Sequence, residues 1–281
     1  MTHSASLAII PQYTLEGIEV LPSESYYSFP EVISTFAYSK PGSCLLRLNM
    51  MEAVWYLRKE KTQATLIHWE GEKTEKFYHM ATLCLKNLGI TRFNSLLLPE
   101  CLDYIRLVKA SVWYSFSSWQ NSELSANKRW QIRSALRRYR FVEVSRDEIG
   151  QQQMFDILER WYEKAKERHF MVVRGHYRAM IRAHCHFANS RMFFALNGNG
   201  IISGLVGGYV YSGVAVITQA KHDYSSQFLS KAIWAFWMSF VHDDLGISVC
   251  CCGDTADNLK EGMGMQRRMA YRIPHYSLME A

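Results

Sequence analysis

The chain has 281 residues, of which 48% are hydrophobic, 21% charged and 14% aromatic. That balance excludes a disordered, low-complexity or coiled-coil chain, and the length suits one large domain or two ordinary ones with a substantial core. A formal net charge of +6, from 32 basic and 26 acidic residues, favours anionic partners.

The longest apolar run, about residues 232–240, is interrupted by Ser239. It is about half of what a bilayer crossing needs, so no membrane span is expected. Residues 1–12 carry no basic stretch ahead of their short apolar patch, and a cytoplasmic location without a secretory signal is expected. The seven cysteines include the run Cys250–Cys252 but no Cys-x-x-Cys pair. Consecutive cysteines on a strand point to alternating faces, and His184 and His186 on a helix lie some ~200° apart. No metal site is therefore expected, and the odd cysteine count suits a reducing compartment.

In chain order, residues 44–49, 54–58 and 64–69 read as strands, and 73–88 as an amphipathic helix through Phe77, Met80, Cys84 and Leu88. A strand at 93–98, a helix at 99–108 opened by Pro99, and a strand at 112–116 follow. The second half opens with a basic helix at 127–140 and a strand at 141–145. A helix at 147–168 stacks Met154, Leu158, Trp161 and Ala165, and another spans about 175–187. Strands at 192–196, 201–210 and 214–220 are separated by Gly/Asn/Ser-rich turns at 197–200 and 212–213. A long helix at 226–242, a strand at 247–253, a short helix at 255–262 and a strand at 269–278 complete the chain. Pro274 assigns that last strand to a sheet edge.

Both halves thus read three strands, helix, strand, short helix, strand. Leu88-Gly89-Ile90 recurs as Leu245-Gly246-Ile247, 157 residues on, and the same offset carries Leu102 to Leu259 and Tyr114 to Tyr271. The pattern points to an internal duplication.

The order of elements in the second half resembles that of the GCN5-related N-acyltransferase (GNAT) fold. Two copies in tandem, the first degenerate, resemble the Fem-type aminoacyl transferases and their relatives. Three stretches carry the resemblance: Lys128-Arg129-Trp130-Gln131-Ile132-Arg133-Ser134-Ala135-Leu136-Arg137-Arg138, the basic helix before the second copy; Leu245-Gly246-Ile247 with a strand ending in Gly253-Asp254; and Leu259-Lys260-Glu261-Gly262-Met263-Gly264-Met265. The resemblance implies an α/β fold of two tandem GNAT-like domains with mixed central sheets, in residues 1–120 and 121–281, the second catalytic. It departs at residues 220–228, Ala-Lys-His-Asp-Tyr-Ser-Ser-Gln-Phe, which hold no glycine where acetyl-CoA enzymes of this fold have a glycine-rich pyrophosphate loop. Without glycine the backbone approaches a pyrophosphate less closely.

Acyl transfer to an amine requires removal of a proton from the amine, a donor for the oxyanion and a proton for the leaving group. By the resemblance Lys260 stabilises the oxyanion, a solvated helix lysine being the alternative. Gln219, Lys221, His222, Asp223 and Tyr224 stand at the end of the central strand, where this fold opens its cleft. Asp223 is the candidate to orient or deprotonate the amine, and Tyr224 to protonate the leaving oxygen or sulfur. Capping of the following helix is the alternative for Asp223 and Ser225. Asp254 is a candidate to hold the acceptor amine, or a cap for helix 255–262.

Arg129, Arg133 and Arg137 recur every four residues and form one stripe of the basic helix. With Lys128, Arg138 and Arg140 they place six cations in thirteen residues and no acid, a pattern suited to phosphate; a solvated face is the alternative. Arg129, Arg133, Arg137, Gln219, Lys221, Ser225 and Ser226 are the expected donor-binding residues. The expected function is transfer of an aminoacyl group from aminoacyl-tRNA, or of an acyl group, to the amine of a small molecule or peptide, with no tightly bound cofactor. An acyl-CoA-dependent N-acyltransferase and a non-catalytic nucleic-acid-binding or scaffolding module are the alternatives.

Overall fold

The computed structural model describes residues 5–22, 29–50, 52–71, 75–95, 107–116, 124–165, 174–252, 263 and 266–277. Its elements are β1 (Ala5–Ile10), α1 (Pro30–Ala37), β2 (Cys44–Met50), β3 (Ala53–Glu60), β4 (Gln63–Gly71), α2 (Glu75–Asn87), β5 (Arg92–Ser95) and β6 (Leu107–Phe116). There follow α3 (Ala126–Leu136), β7 (Arg140–Glu143), α4 (Glu148–Ala165), α5 (Arg174–His184), β8 (Ser190–Leu196), β9 (Ile202–Val210), β10 (Val214–His222), α6 (Leu229–Ser239), β11 (Val249–Cys251) and β12 (Gln266–Ser277).

The chain divides into two compact units. Met1–Leu21, Tyr27–Val112 and Met269–Ala281 form the first, and Pro22–Tyr26 with Trp113–Arg268 the second. Beside the expected 1–120 and 121–281, the division falls at Val112/Trp113, and the final strand lies with the first unit from Met269 on.

In the first unit β1, β2, β3 and β4 pair antiparallel in sequence, β4 pairs β5 parallel, and β5 pairs β12 antiparallel. The face toward α2 is apolar: Trp55, Leu57, Leu66, Trp69 and Phe93 bury against Phe77, Ala81 and Leu85. Trp55 sets the packing, 4.6 Å from Trp69 and stacked on Phe93 at 5.8 Å between ring centroids. The sequence reading missed β1 and α1. β1 exposes Leu7 and Ile9 and shows no alternation. α1 is buried nearly all round and has Phe29 at its N-cap without a capping side chain, so neither periodicity nor a cap marks it.

In the second unit β6 pairs β11 antiparallel through Ser115 and Phe116, β11 pairs β10 parallel, and β10, β9, β8 and β7 continue antiparallel. Phe193 and Phe194 alternate across this sheet. Phe194 joins Met154, Leu158, Trp161 and Leu205 under α4, whereas Phe193 packs edge-on against Phe236 of α6, 5.0 Å away. Gly204 lies under α6, where a Cβ would meet the Ile233 side chain at 2.9 Å. The long helix expected at 226–242 starts at Leu229 and gives way to a π-helical turn, Phe240–Asp244. Residues 107–108, expected to end a helix, lie in β6. The rest of that helix and the one expected at 255–262 lie outside the described residues.

The duplication is visible in strand registers. β4 and β10 are each nine residues long, and each carries an extra residue in fifth place, Ile67 and Thr218, where its pairing with the preceding strand shifts. The parallel pairings also begin at matching places, Gln63 with Arg92 and Val214 with Val249. The repeated Leu-Gly-Ile is a helix terminator. Gly89 and Gly246 both take left-handed φ, 72° and 65°, directly after their helices.

Candidate functional site

In the second unit β11 pairs β10 over Val214–Val216, while β10 runs on to His222. The Thr218 bulge lies in this overrunning part and sets the faces of the residues after it. Gly207 and Gly208 oppose it, and neither tolerates a side chain: a Cβ on Gly207 would lie 2.2 Å from the Arg191 carbonyl oxygen, and one on Gly208 1.8 Å from that of Val216.

Gln219 and Lys221 therefore point toward α4 and α5. Gln219 is fully buried, and its amide nitrogen donates weakly to the Tyr177 carbonyl at 3.4 Å. Its Oε1 is buried without a hydrogen-bond partner. The Lys221 ammonium lies 3.7 Å from the Tyr177 ring centroid and 4.2 Å from that of Trp161. Both residues thus face the α4–α5 side of the sheet, away from the basic helix. In the first unit the row equivalent to Met192–Gly207–Gln219 is Arg47–Tyr56–His68. There Tyr56 stands where the second unit has Gly207, whose Cβ position is taken up by the Arg191 carbonyl and the Met192 side chain. Each member of that row has a partner in its own unit: Arg47 pairs with Glu19, the Tyr56 hydroxyl accepts the Glu19 N–H, and His68 Nε2 meets Glu70.

The loop after β10 turns without glycine. The Asp223 carboxylate accepts the Ser225 N–H at 3.1 Å, and its carbonyl accepts the Ser226 N–H at 3.0 Å. The carboxylate expected to orient or deprotonate an amine thus closes this turn. Tyr224 packs against the α4–α5 core cluster, with its ring 5.2 Å from that of His222. The left-handed position falls on Phe228, at φ 58°, immediately before α6. For a bulky residue that conformation is strained by roughly 1–2 kcal/mol.

α3 lies against this turn. Ser125 caps it by accepting the Lys128 N–H. The Arg138 guanidinium donates to Gln227 Oε1 at 2.8 Å, Lys231 donates to Gln131, and the Trp130 ring meets Phe228 edge-on at 5.8 Å. Trp130, Arg133, Ser134, Arg137 and Arg138 line an open groove of about 330 Å³. The expected stripe is thus only partly assembled. Arg133 and Arg137 line the groove, but the Arg129 guanidinium donates to the Leu124 carbonyl. Arg138, expected beside the stripe as one of its six cations, lines the groove too, and Trp130 was missed, although Trp130, Arg133, Ser134 and Arg137 follow the i, i+3, i+4, i+7 spacing of one helix face.

Lys260 and Asp254 lie outside the described residues. His184, beside Cys185, is buried and hydrogen-bonded to Ser190 at 2.9 Å. Burial is the main cause that lowers its pKa from the usual 6.5 to about 4, against the opposing pull of the Val144 carbonyl. Among the described residues no three His, Cys, Asp or Glu side chains converge as metal ligands, and no helix is long and apolar enough to cross a membrane.

The architecture, two mixed sheets each with a bulged, overrunning strand, is that of the GNAT fold in tandem. The C-terminal domain of a putative lysylphosphatidylglycerol synthetase from Agrobacterium fabrum aligns with a TM-score of 0.60 at 9% identity, covering 90% of this chain and 88% of that one. FemX also aligns with a TM-score of 0.60, at 10% identity over 88% of this chain and 92% of its own. A tandem GNAT protein from the clavulanic acid biosynthesis pathway covers 98% of this chain and 99% of its own, with a TM-score of 0.55 and 9% identity. No family model matches the sequence, and no curated protein matches it.

Proposed function

We propose that the chain is an N-acyltransferase whose second unit binds a phosphate-bearing acyl donor, aminoacyl-tRNA or an acyl thioester of coenzyme A, and transfers the acyl group to an amine. The observation that carries this reading is the groove: three guanidinium groups, Arg133, Arg137 and Arg138, line it, and Arg138 ties it to Gln227 in the turn that follows the overrunning strand. Cations there suit a donor's phosphates. The absence of glycine in the turn favours aminoacyl-tRNA, because the phosphate contacts fall to side chains of α3 rather than to loop amides.

In the reaction the acceptor nitrogen attacks the carbonyl carbon of the ester or thioester. The C–N bond forms, the tetrahedral intermediate collapses, and the ribose hydroxyl or the thiol leaves with a proton. Lys260 is proposed as the oxyanion donor, Tyr224 as the acid for the leaving group and Asp254 as the holder of the acceptor amine. Asp223, with its carboxylate on the turn, acts as a positioning residue for the donor loop. Gln219 and Lys221 belong to the acceptor side, because they face α4 and α5. Incubating the full chain with labelled aminoacyl-tRNA or acyl-CoA and a panel of amines tests the reading. Amide product from one donor class is expected, and no product from either class overturns it.

A further inference from the structure

We infer that Trp130 is a stacking platform for a nucleobase, so that the groove on α3 takes an adenosine nucleotide. The inference rests on the reading that the donor's phosphates occupy this groove. Trp130 is 55% exposed, while the inward residues of the same helix, Ile132 and Ala135, are fully buried. More than half of the indole is therefore left outside the packing of α3 against α6. An exposed aromatic ring among guanidinium groups supplies what phosphate alone does not use, a flat apolar surface for a base. Its orientation is fixed by the edge-on contact with Phe228, itself held in the left-handed conformation at the start of α6. Arg133, Ser134 and Arg137 continue the same face of the helix as far as Arg138, so base and phosphates would lie along one line. The groove, about 330 Å³, falls at the lower end of the volumes of small-molecule sites. Coenzyme A and the 3′ end of tRNA share this chemistry: both present an adenosine next to phosphate.

Calorimetry on the full chain separates base from phosphate. Adenosine 3′,5′-bisphosphate is compared with ribose 3,5-bisphosphate, which differs only in lacking the base. The wild type should favour the adenosine compound at least about fivefold, the low end of what stacking on an aromatic side chain contributes. Trp130→Ala should abolish that preference and leave ribose bisphosphate affinity unchanged, and Trp130→Phe should retain most of it. An unchanged preference in Trp130→Ala overturns the inference and leaves the donor reading intact. Should neither compound bind, or should Arg133→Ala and Arg137→Ala leave both affinities unchanged, the donor reading itself falls. Circular dichroism of Trp130→Ala separates lost folding from lost stacking, and Trp130→Phe carries the test if the alanine variant does not fold. Competition against the adenosine compound then distinguishes the sources: displacement by an RNA ending in CCA supports a tRNA donor, and displacement by coenzyme A a thioester donor. Displacement by neither overturns the adenosine assignment.

Discussion

Ile67 and Thr218 are the same bulge in two copies of one strand, each the fifth of nine residues. A bulge moves every later side chain to the other face, so retaining both in register keeps His68 and Gln219 at equivalent positions. The chemistry at that position has diverged. The first copy fills its row with Arg47, Tyr56 and His68, whereas the second keeps Gly207 and a buried amide.

Gly208 is the strictest requirement beside the second bulge. A Cβ there would lie 1.8 Å from the Val216 oxygen, a backbone atom that a rotamer change cannot move. Gly208→Ala should lower unfolding free energy by about 2 kcal/mol or more, read by urea denaturation. A loss below about 0.5 kcal/mol would mean that the strands shift apart at little cost.

Gln219 should show the opposite sign. Its Oε1 is buried without a partner, and a buried orphan of this kind costs about 1–3 kcal/mol. Gln219→Leu should leave stability unchanged or raise it, while abolishing acceptor use. A clear loss of stability would show that the amide oxygen is satisfied in solution, as by a water.

Asp223 separates turn from base. Asp223→Asn keeps the oxygen that accepts the Ser225 N–H and should preserve both stability and turnover. Asp223→Ala should cost about 1 kcal/mol by analogy with losing a cap. If Asp223→Asn instead removes the acidic limb of the pH–rate profile with folding intact, the carboxylate is the base.

His184 makes stability pH-dependent. Its pKa is about 4 when folded against 6.5 when unfolded, so between these values the unfolded chain binds a proton that the folded chain does not. The contribution is complete above pH 6.5 and is lost as pH falls toward 4, by about 3 kcal/mol at most. His184→Gln should lose less stability than the wild type between pH 7 and pH 4.5. Equal losses would place the acid sensitivity elsewhere.

The arginines should divide by position. Arg133→Ala with Arg137→Ala should flatten the salt dependence of RNA binding by about 1.4 in log–log slope, at about 0.7 per lost contact to single strands. Arg129→Ala should leave that slope unchanged, because its guanidinium is committed to the Leu124 carbonyl. A slope that responds equally to Arg129 would restore the four-residue stripe.

Much of this fold is written in short-range patterns. The strands β2, β3, β4, β8, β9 and β10 stand out because alternation or Gly-rich turns mark them, and the Leu-Gly-Ile repeat marks two helix ends. The bulges are not legible, since no residue type is required at Ile67 or Thr218; only Gly207-Gly208 on the facing strand hints at one. Which basic residues line the groove depends on how α3 rotates against α6. The four-residue spacing marks Arg129, Arg133 and Arg137, whereas the contacts of Trp130 with Phe228 and of Arg138 with Gln227 go with a groove lined by Trp130, Arg133 and Arg137.

The pairing of β12 with β5 has a consequence for synthesis. β5 is complete by Ser95, yet its partner residues, His275 to Ser277, leave the ribosome some 180 residues later. Until then the nascent first unit carries an uncovered strand edge, the kind of surface that recruits foreign strands or holding chaperones. Splitting the gene near residue 120 would make that transient state permanent. A fragment of residues 1–120 should accumulate in inclusion bodies, and co-expression of residues 121–281 should return part of it to solution.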